Sequence, residues 1–180
     1  FRSERSFGIN KGVKIMADHE NDISCCMKRK VIYGHPEMAV REAAALIVDK
    51  RIGTLPIVDD QGFLDGVVHI RNIIQIFLPD FVSLLSNIDF VKDFGAKNSP
   101  STGVLRKAEI LTMADIKEKP VAVEEHTSLI RALSLMESHN LTDLLVVNED
   151  GKLVGLTSRV DIGRAFLADW ISSQRGKQER

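Results

Sequence analysis

Ser158 and Asp161 stand three residues apart in the stretch GLTSRVDIG, 155–163. A hydroxyl and a carboxylate at that spacing can do one of two things. They can close a capping box at a helix start, which needs no ligand. Alternatively they can bind: a carboxylate accepts a pair of neighbouring hydroxyls in a charge-assisted fork. A short hydroxyl beside the free N–H groups of a helix start suits an anion, with Arg159 and Arg164 adding charge. The stretch GVVHIRNII, 66–74, has the same frame with His69 and Asn72 in the two polar slots. An amide offers one acceptor and no charge, so Asn72 is the poorer partner for a diol. His69 contacts an anion best when protonated, or it caps a strand end in an unused cleft. Arg71 either reaches an anion or is a solvated helix arginine.

The elements that must position these residues come from an internal repeat. Shifted by 89, residues 31–78 align without a gap on 120–167, with Gly62 on Gly151 and Gly66 on Gly155. Each copy opens on a short apolar stretch, VIY at 31–33 or VAV at 121–123. An amphipathic helix follows, carried by Val40, Ala43, Ala44, Ile47 and Val48 in copy one and by Leu129, Ala132, Leu133 and Met136 in copy two. Thr127 or Ser128 can cap the second. Next comes a hairpin. Its first strand is TLPIV (54–58) or DLLVV (143–147), its turn is DDQG or NEDG with glycine at a φ > 0 corner, and its return strand is FLDGVVH or KLVGLTS. The last helix starts at Ile70 or Arg159. The predicted unit is β-α-β-β-α. Between the copies, Phe81, Leu84, Leu85 and Ile88 predict an amphipathic helix, and residues 96–108 read as a flexible loop. Thr112 and Asp115 have capping-box spacing at the lead-in to copy two, whose counterpart in copy one is DISCCMKRK, 22–30. The expected segments are a frayed extension 1–21, repeat 22–78, connector 79–111, repeat 112–171 and a polar, frayed tail 172–180. Met16 is a candidate natural start.

The two stretches RKVIYGHPEMAVREAAALIVDKRIGTLPIVDDQGFLDGVVHIRNI and KPVAVEEHTSLIRALSLMESHNLTDLLVVNEDGKLVGLTSRVDI resemble a pair of cystathionine-β-synthase (CBS) domains, a Bateman module. The pattern that carries this is an apolar strand, a helix, an L-P-V-V-type strand, a D-x-x-G turn and G-x-x-[ST]-x-x-D. The segment PDFVSLLSNIDFVKDFG is similar to the connector of small bacterial stand-alone pairs. The resemblance implies a mixed α/β (α+β) fold, with two repeats packed about a pseudo-twofold axis and clefts between them. It implies an adenosine-containing ligand (AMP, ADP, ATP or S-adenosylmethionine), a sensor role read by another protein, and homodimers. No cofactor is required and no catalysis is implied. On that reading Asp161 takes the ribose diol, Ser158 and Arg159 a phosphate, and Val121, Ala122, Leu144 and Val146 the adenine. Copy one offers a second cleft at Ile32, Tyr33, Pro56, His69, Arg71 and Asn72.

The rest of the sequence narrows the alternatives. Across 180 residues the chain is 44% hydrophobic with net charge −1, so it has no electrostatic footprint for nucleic acid. No apolar run approaches a membrane span, and the N-terminus lacks the apolar core of a signal peptide. Cys25 and Cys26 are adjacent and form no disulfide framework, so a reducing cytoplasm is expected. His126 and His139 have no partners at metal spacing and read as surface histidines. Trp170 packs the last helix against a neighbour or serves a dimer contact. There is no nucleophile–base pair or P-loop. The competing readings are a dimerisation module with empty clefts and a regulatory fragment of a larger enzyme or transporter.

Overall fold

The computed structural model describes residues 22–78 and 102–178, the side chains of 172–178 excepted. Copy one comprises α1 (Val40–Lys50), β1 (Thr54–Val58), β2 (Leu64–His69) and α2 (Ile70–Phe77). Helices α3 (Thr102–Ile110) and α4 (Met113–Ile116) precede copy two. Copy two comprises β3 (Ala122–Glu124), α5 (Leu129–Ser138), β4 (Asp143–Val147), β5 (Leu153–Ser158) and α6 (Arg159–Gln178). The fold is mixed α+β, as the repeat implies. Among the described residues no helix is long and apolar enough to cross a membrane.

The hairpins form where the turn chemistry asks for them. Asp59 Oδ1 accepts from the N–H groups of Gln61 and Phe63, both at 2.9 Å, and Asn148 Oδ1 accepts from Lys152 N at 2.9 Å. Gly62 and Gly151 then take φ of 85° and 84°, a region open to glycine at no steric cost. In copy two the parallel strand β3 adds to β4, pairing Val123 with Val146. Copy one departs from the expected unit. Its VIY stretch forms no strand, and a single parallel bridge, Gly34 to Ile57, stands at the matching place. Gly34 has no side chain to pack and Pro36 has no N–H to donate, so pairing stops after one residue.

Each helix buries one face against its own hairpin: Val40, Ala43 and Ile47 on α1, and Leu129, Ala132 and Met136 on α5. Ser128 caps α5, its Oγ accepting from Arg131 N at 3.4 Å. Thr112 and Asp115 close the expected capping box on α4. Residues 102–108, read from sequence as loop, belong to α3, which lies against α1 and α2 with Ala108 buried. The backbone of α6 stays helical to Gln178, well into the expected frayed tail. The predicted helix around Phe81–Ile88 and the extension 1–21 lie outside the described residues.

The two cores are completed crosswise. Ile23, from the lead-in to copy one, is fully buried in the copy-two core with Leu129, Met136, Leu144 and Ile162. Met113, from the lead-in to copy two, is fully buried in the copy-one core with Val40, Ile47, Leu55 and Val68. Paired backbone hydrogen bonds hold both exchanges: Lys28 with Leu156 (2.8 and 3.0 Å) and Glu118 with Val67 (2.9 and 3.1 Å). Corresponding lead-in residues, Ile23 with Met113 and Lys28 with Glu118, are therefore 90 apart, one more than elsewhere in the repeat. The hairpin tips meet symmetrically, Leu64 N donating to Gly151 O (3.3 Å) and Leu153 N to Gly62 O (3.2 Å). This marks the pseudo-twofold axis. The register-matched Gly66 and Gly155 lie where the exchanged segments cross. A Cβ on Gly66 would stand 2.7 Å from Lys117 Cδ, and one on Gly155 2.7 Å from Met27 Sδ.

Candidate functional site

Asp161 sits in the first turn of α6, and β5 delivers Ser158 immediately before it. Ser158 Oγ accepts from Asp161 N at 3.1 Å and donates to Asp161 Oδ2 at 2.7 Å. The cap reading is therefore realised in this geometry. The hydrogen bond from Ser158 lowers the Asp161 carboxyl pKa against some burial, and Lys28 Nζ, 3.5 Å from Oδ2, lowers it further. Asp161 is thus held as a carboxylate, with side-chain exposure of 27%, so it still faces solvent.

Lys28 also lines a cleft between the copies, of about 310 Å³. Val31, Ile32 and Ile52 of copy one and Leu156 of copy two give it apolar walls, and Lys30, Arg51 and Asp143 give it polar groups. Thr54 and Asp143, matched positions of the two copies, meet at the same cleft, Thr54 Oγ1 donating to Asp143 Oδ2 at 2.7 Å. The volume and the mix of apolar wall with few convergent polar groups are those of a small-molecule site.

The fold redistributes the residues read from sequence. Leu144 and Val146, expected to line the adenine slot, are fully buried in the copy-two core and reach no cleft. Val121 and Ala122 line a different concavity, of about 880 Å³, with Ser128 and Arg131 at the start of α5. The apolar walls of the cleft that Lys28 lines are instead Val31, Ile32 and Ile52 of copy one with Leu156 of copy two. Ile32, expected in the second cleft, belongs to this first one. Arg159 is spent elsewhere. Its Nη2 donates to Met136 O (3.1 Å) and Leu141 O (2.8 Å) and its Nη1 to Glu137 (2.8 Å), so it caps the C-terminal end of α5. Lys28, Lys30, Arg51 and Ile52 were missed. Position 28 is legible only once the lead-in is known to cross.

In the copy-one half the polar groups are consumed internally. His69 and Asn72 close a capping box of their own at the start of α2, His69 N donating to Asn72 Oδ1 at 2.7 Å. Asn72 Nδ2 and Arg71 Nη2 both donate to Glu118, at 2.6 and 2.8 Å. These bonds lower the Glu118 pKa, that from Asn72 the most. Thr54 Oγ1, already donating to Asp143, lies within hydrogen-bond distance of His69 Nδ1, at 3.2 Å. Burial lowers the His69 pKa and Arg71 adds to the shift. Tyr33 is exposed and lies edge-on to His35, and Pro56 is buried within β1. The structure does not gather Ile32, Tyr33, Pro56, His69, Arg71 and Asn72 into one cleft. Lys28 faces Asp161 where the matching Glu118 faces Asn72, so each half pairs its own complementary groups.

The model of the family described as CBS domain matches residues 21–79 and again 110–168, together well over half of the chain. The chain is a tandem pair of CBS domains. A CBS domain-containing protein of Arabidopsis thaliana, CBSX1, chloroplastic, is 31% identical over 145 residues, covering 73% of this CBS pair and 57% of the relative. The pair thus spans a little over half of that protein. An uncharacterised 17.7 kDa protein of Acidianus ambivalens is 28% identical over 148 residues, covering 82% of this chain and 74% of the relative. Among solved structures, CBSX2 in complex with AMP superposes with a TM-score of 0.62 at 25% identity, over 82% of this chain and 97% of that one. The cytosolic domain of the Mg²⁺ channel MgtE in complex with ATP shares the fold, with a TM-score of 0.58 at 23% identity, over 80% and 48% of the two chains.

Proposed function

We propose that this CBS pair is a regulatory sensor of an adenosine-containing ligand, bound in the inter-copy cleft beside Asp161 and read out by a protein partner. The single observation that carries the reading is an ionised, solvent-facing carboxylate at a helix start, ion-paired to Lys28, which itself lines a cleft of about 310 Å³ with apolar walls and a basic rim. Asp161 would accept the ribose diol in a charge-assisted fork, while Ser158 holds its rotamer. Val31, Ile32, Ile52 and Leu156 supply the slot for the base. The AMP complex of the CBSX2 neighbour supports this choice of ligand class. No residue is given a catalytic part. Ligand acts only through its differential affinity for two arrangements of the copies or of a homodimer. The copy-one half carries no ligand on this reading, since Asn72, Arg71 and His69 are satisfied by Glu118 and Thr54. Cys25 and Cys26 are free, which suits a reducing compartment such as the cytoplasm.

Isothermal titration with AMP, ADP, ATP, S-adenosylmethionine and NAD tests the reading. One ligand is expected to bind at micromolar strength with one site per chain, and Asp161→Ala is expected to abolish it. Absence of binding to any of the five would reduce Ser158 and Asp161 to a helix cap and leave a docking module with empty clefts.

A further inference from the structure

Arg51 is the residue after the last turn of α1, and its backbone is left-handed, with φ 53° and ψ 47°. Only one other non-glycine among the described residues has positive φ, Asn140 at φ 51°, the matched position of copy two. Asparagine tolerates this region, and an arginine there is strained. A cation at a helix C-terminus would be a local reason for arginine, but Lys50 already supplies one in the last turn of α1. Arg51 lines the inter-copy cleft, as does Lys30. The other charged groups of the cleft are committed: Lys28 to Asp161, and Asp143 to the hydroxyls of Thr54 (2.7 Å) and Thr142 (3.3 Å). The side chains of Lys30 and Arg51 have no hydrogen-bond or ion-pair partner among the described residues. The cleft thus holds two uncommitted cations, one of them kept at the expense of backbone strain. Strain of that kind concentrates where a side chain is needed for binding.

We infer that Arg51, with Lys30, recognises phosphate in this cleft and sets its specificity for a phosphorylated adenosine ligand over a neutral nucleoside or a sulfonium one. The inference rests on the adenosine reading above and narrows its ligand class. A guanidinium presents a planar fork that grips phosphate oxygens, and the same two cations repel a sulfonium centre.

The test separates strain from recognition, because the two move in opposite directions. In Arg51→Asn the left-handed backbone is relaxed, so the melting temperature stays equal or rises, by roughly 2–4 °C. The same variant loses about tenfold to a hundredfold in affinity for AMP or ADP. Adenosine and 5′-methylthioadenosine, which carry no phosphate, bind both proteins alike and more weakly than AMP binds the wild type. Arg51→Lys keeps the charge but not the fork, so its AMP affinity falls between wild type and Arg51→Asn, without the thermal gain. Unchanged AMP affinity in Arg51→Asn, or adenosine binding as tightly as AMP to the wild type, would overturn the inference while leaving the adenosine site standing. Inorganic pyrophosphate supplies the converse arm. Pyrophosphate binding that Arg51→Asn abolishes, in a protein that binds no adenosine compound, would uphold the anion site and sink the adenosine reading. Binding of neither would sink both.

Discussion

His69 shows how much one side chain can couple. It caps α2, bonds Thr54, and through Thr54 reaches Asp143 of the other copy. Because burial, aided by Arg71, holds its pKa below the ordinary 6.5, the folded state resists protonation while the unfolded chain accepts it. Stability is then complete above pH 6.5 and declines as pH falls from 6.5 through the lowered value. Asp161 and Glu118 are also lowered, from 3.8 and 4.5, so their contribution is present above those values and is lost only in stronger acid. Denaturant midpoints measured from pH 8 to pH 3 are expected to fall in two steps. His69→Gln should remove the first step and keep the second, and a single acid step in the wild type would contradict this. At this scale the sequence was only partly legible. The Ser158–Asp161 spacing announced both a cap and a candidate acceptor, and the structure realises the cap. Arg159 could not be placed from its neighbours in sequence, because the carbonyls it satisfies, Met136 in the last turn of α5 and Leu141 just after it, come within reach only through folding.

Among the elements, the hairpins and the helices after them follow directly from local chemistry. Asp59 and Asn148 set the turns, Gly62 and Gly151 supply the corners, and alternation of apolar residues does the rest. The first strand of copy one failed because Gly34 and Pro36 outweigh the β-rich VIY run. Helix α3 escaped notice because its sequence, with Thr102 and Gly103, offers a weak helical pattern and gains its stability by docking on α1 and α2. The two crossing glycines give an element-scale prediction. Gly66→Ala and Gly155→Ala should each cost about 1–3 kcal/mol by overpacking, measured by urea denaturation. Gly66→Ala should be the worse. The crowding there includes Lys117 Cβ at 3.1 Å, which is fixed by the backbone, whereas Met27 can swing its thioether aside. Equal stability of both variants and wild type would mean that the lead-in segments do not cross at these residues.

For the whole molecule, the crosswise cores make each repeat depend on a segment carried by the lead-in of the other. Ile23→Ala removes a side chain that belongs to copy one by sequence and to copy two by packing, at a cost of about 2–5 kcal/mol. Hydrogen exchange should show the loss of protection in α5, β4 and α6 rather than in α1, and Met113→Ala should show the mirror image in α1, β1 and β2. Loss confined to the mutated segment's own repeat would refute the exchange. None of this was legible beforehand, since an apolar pattern records that a residue is buried and not against which copy. The exchange also bears on ancestry. In this arrangement each lead-in fills the other repeat's core, so two identical single-repeat chains could close both cores by trading plugs. Duplication and fusion would then have joined an existing dimer rather than created a new interface. Freed from the identity that a homodimer imposes, the two halves could diverge, one keeping Lys28 opposite Asp161 and the other settling on Glu118 opposite Asn72.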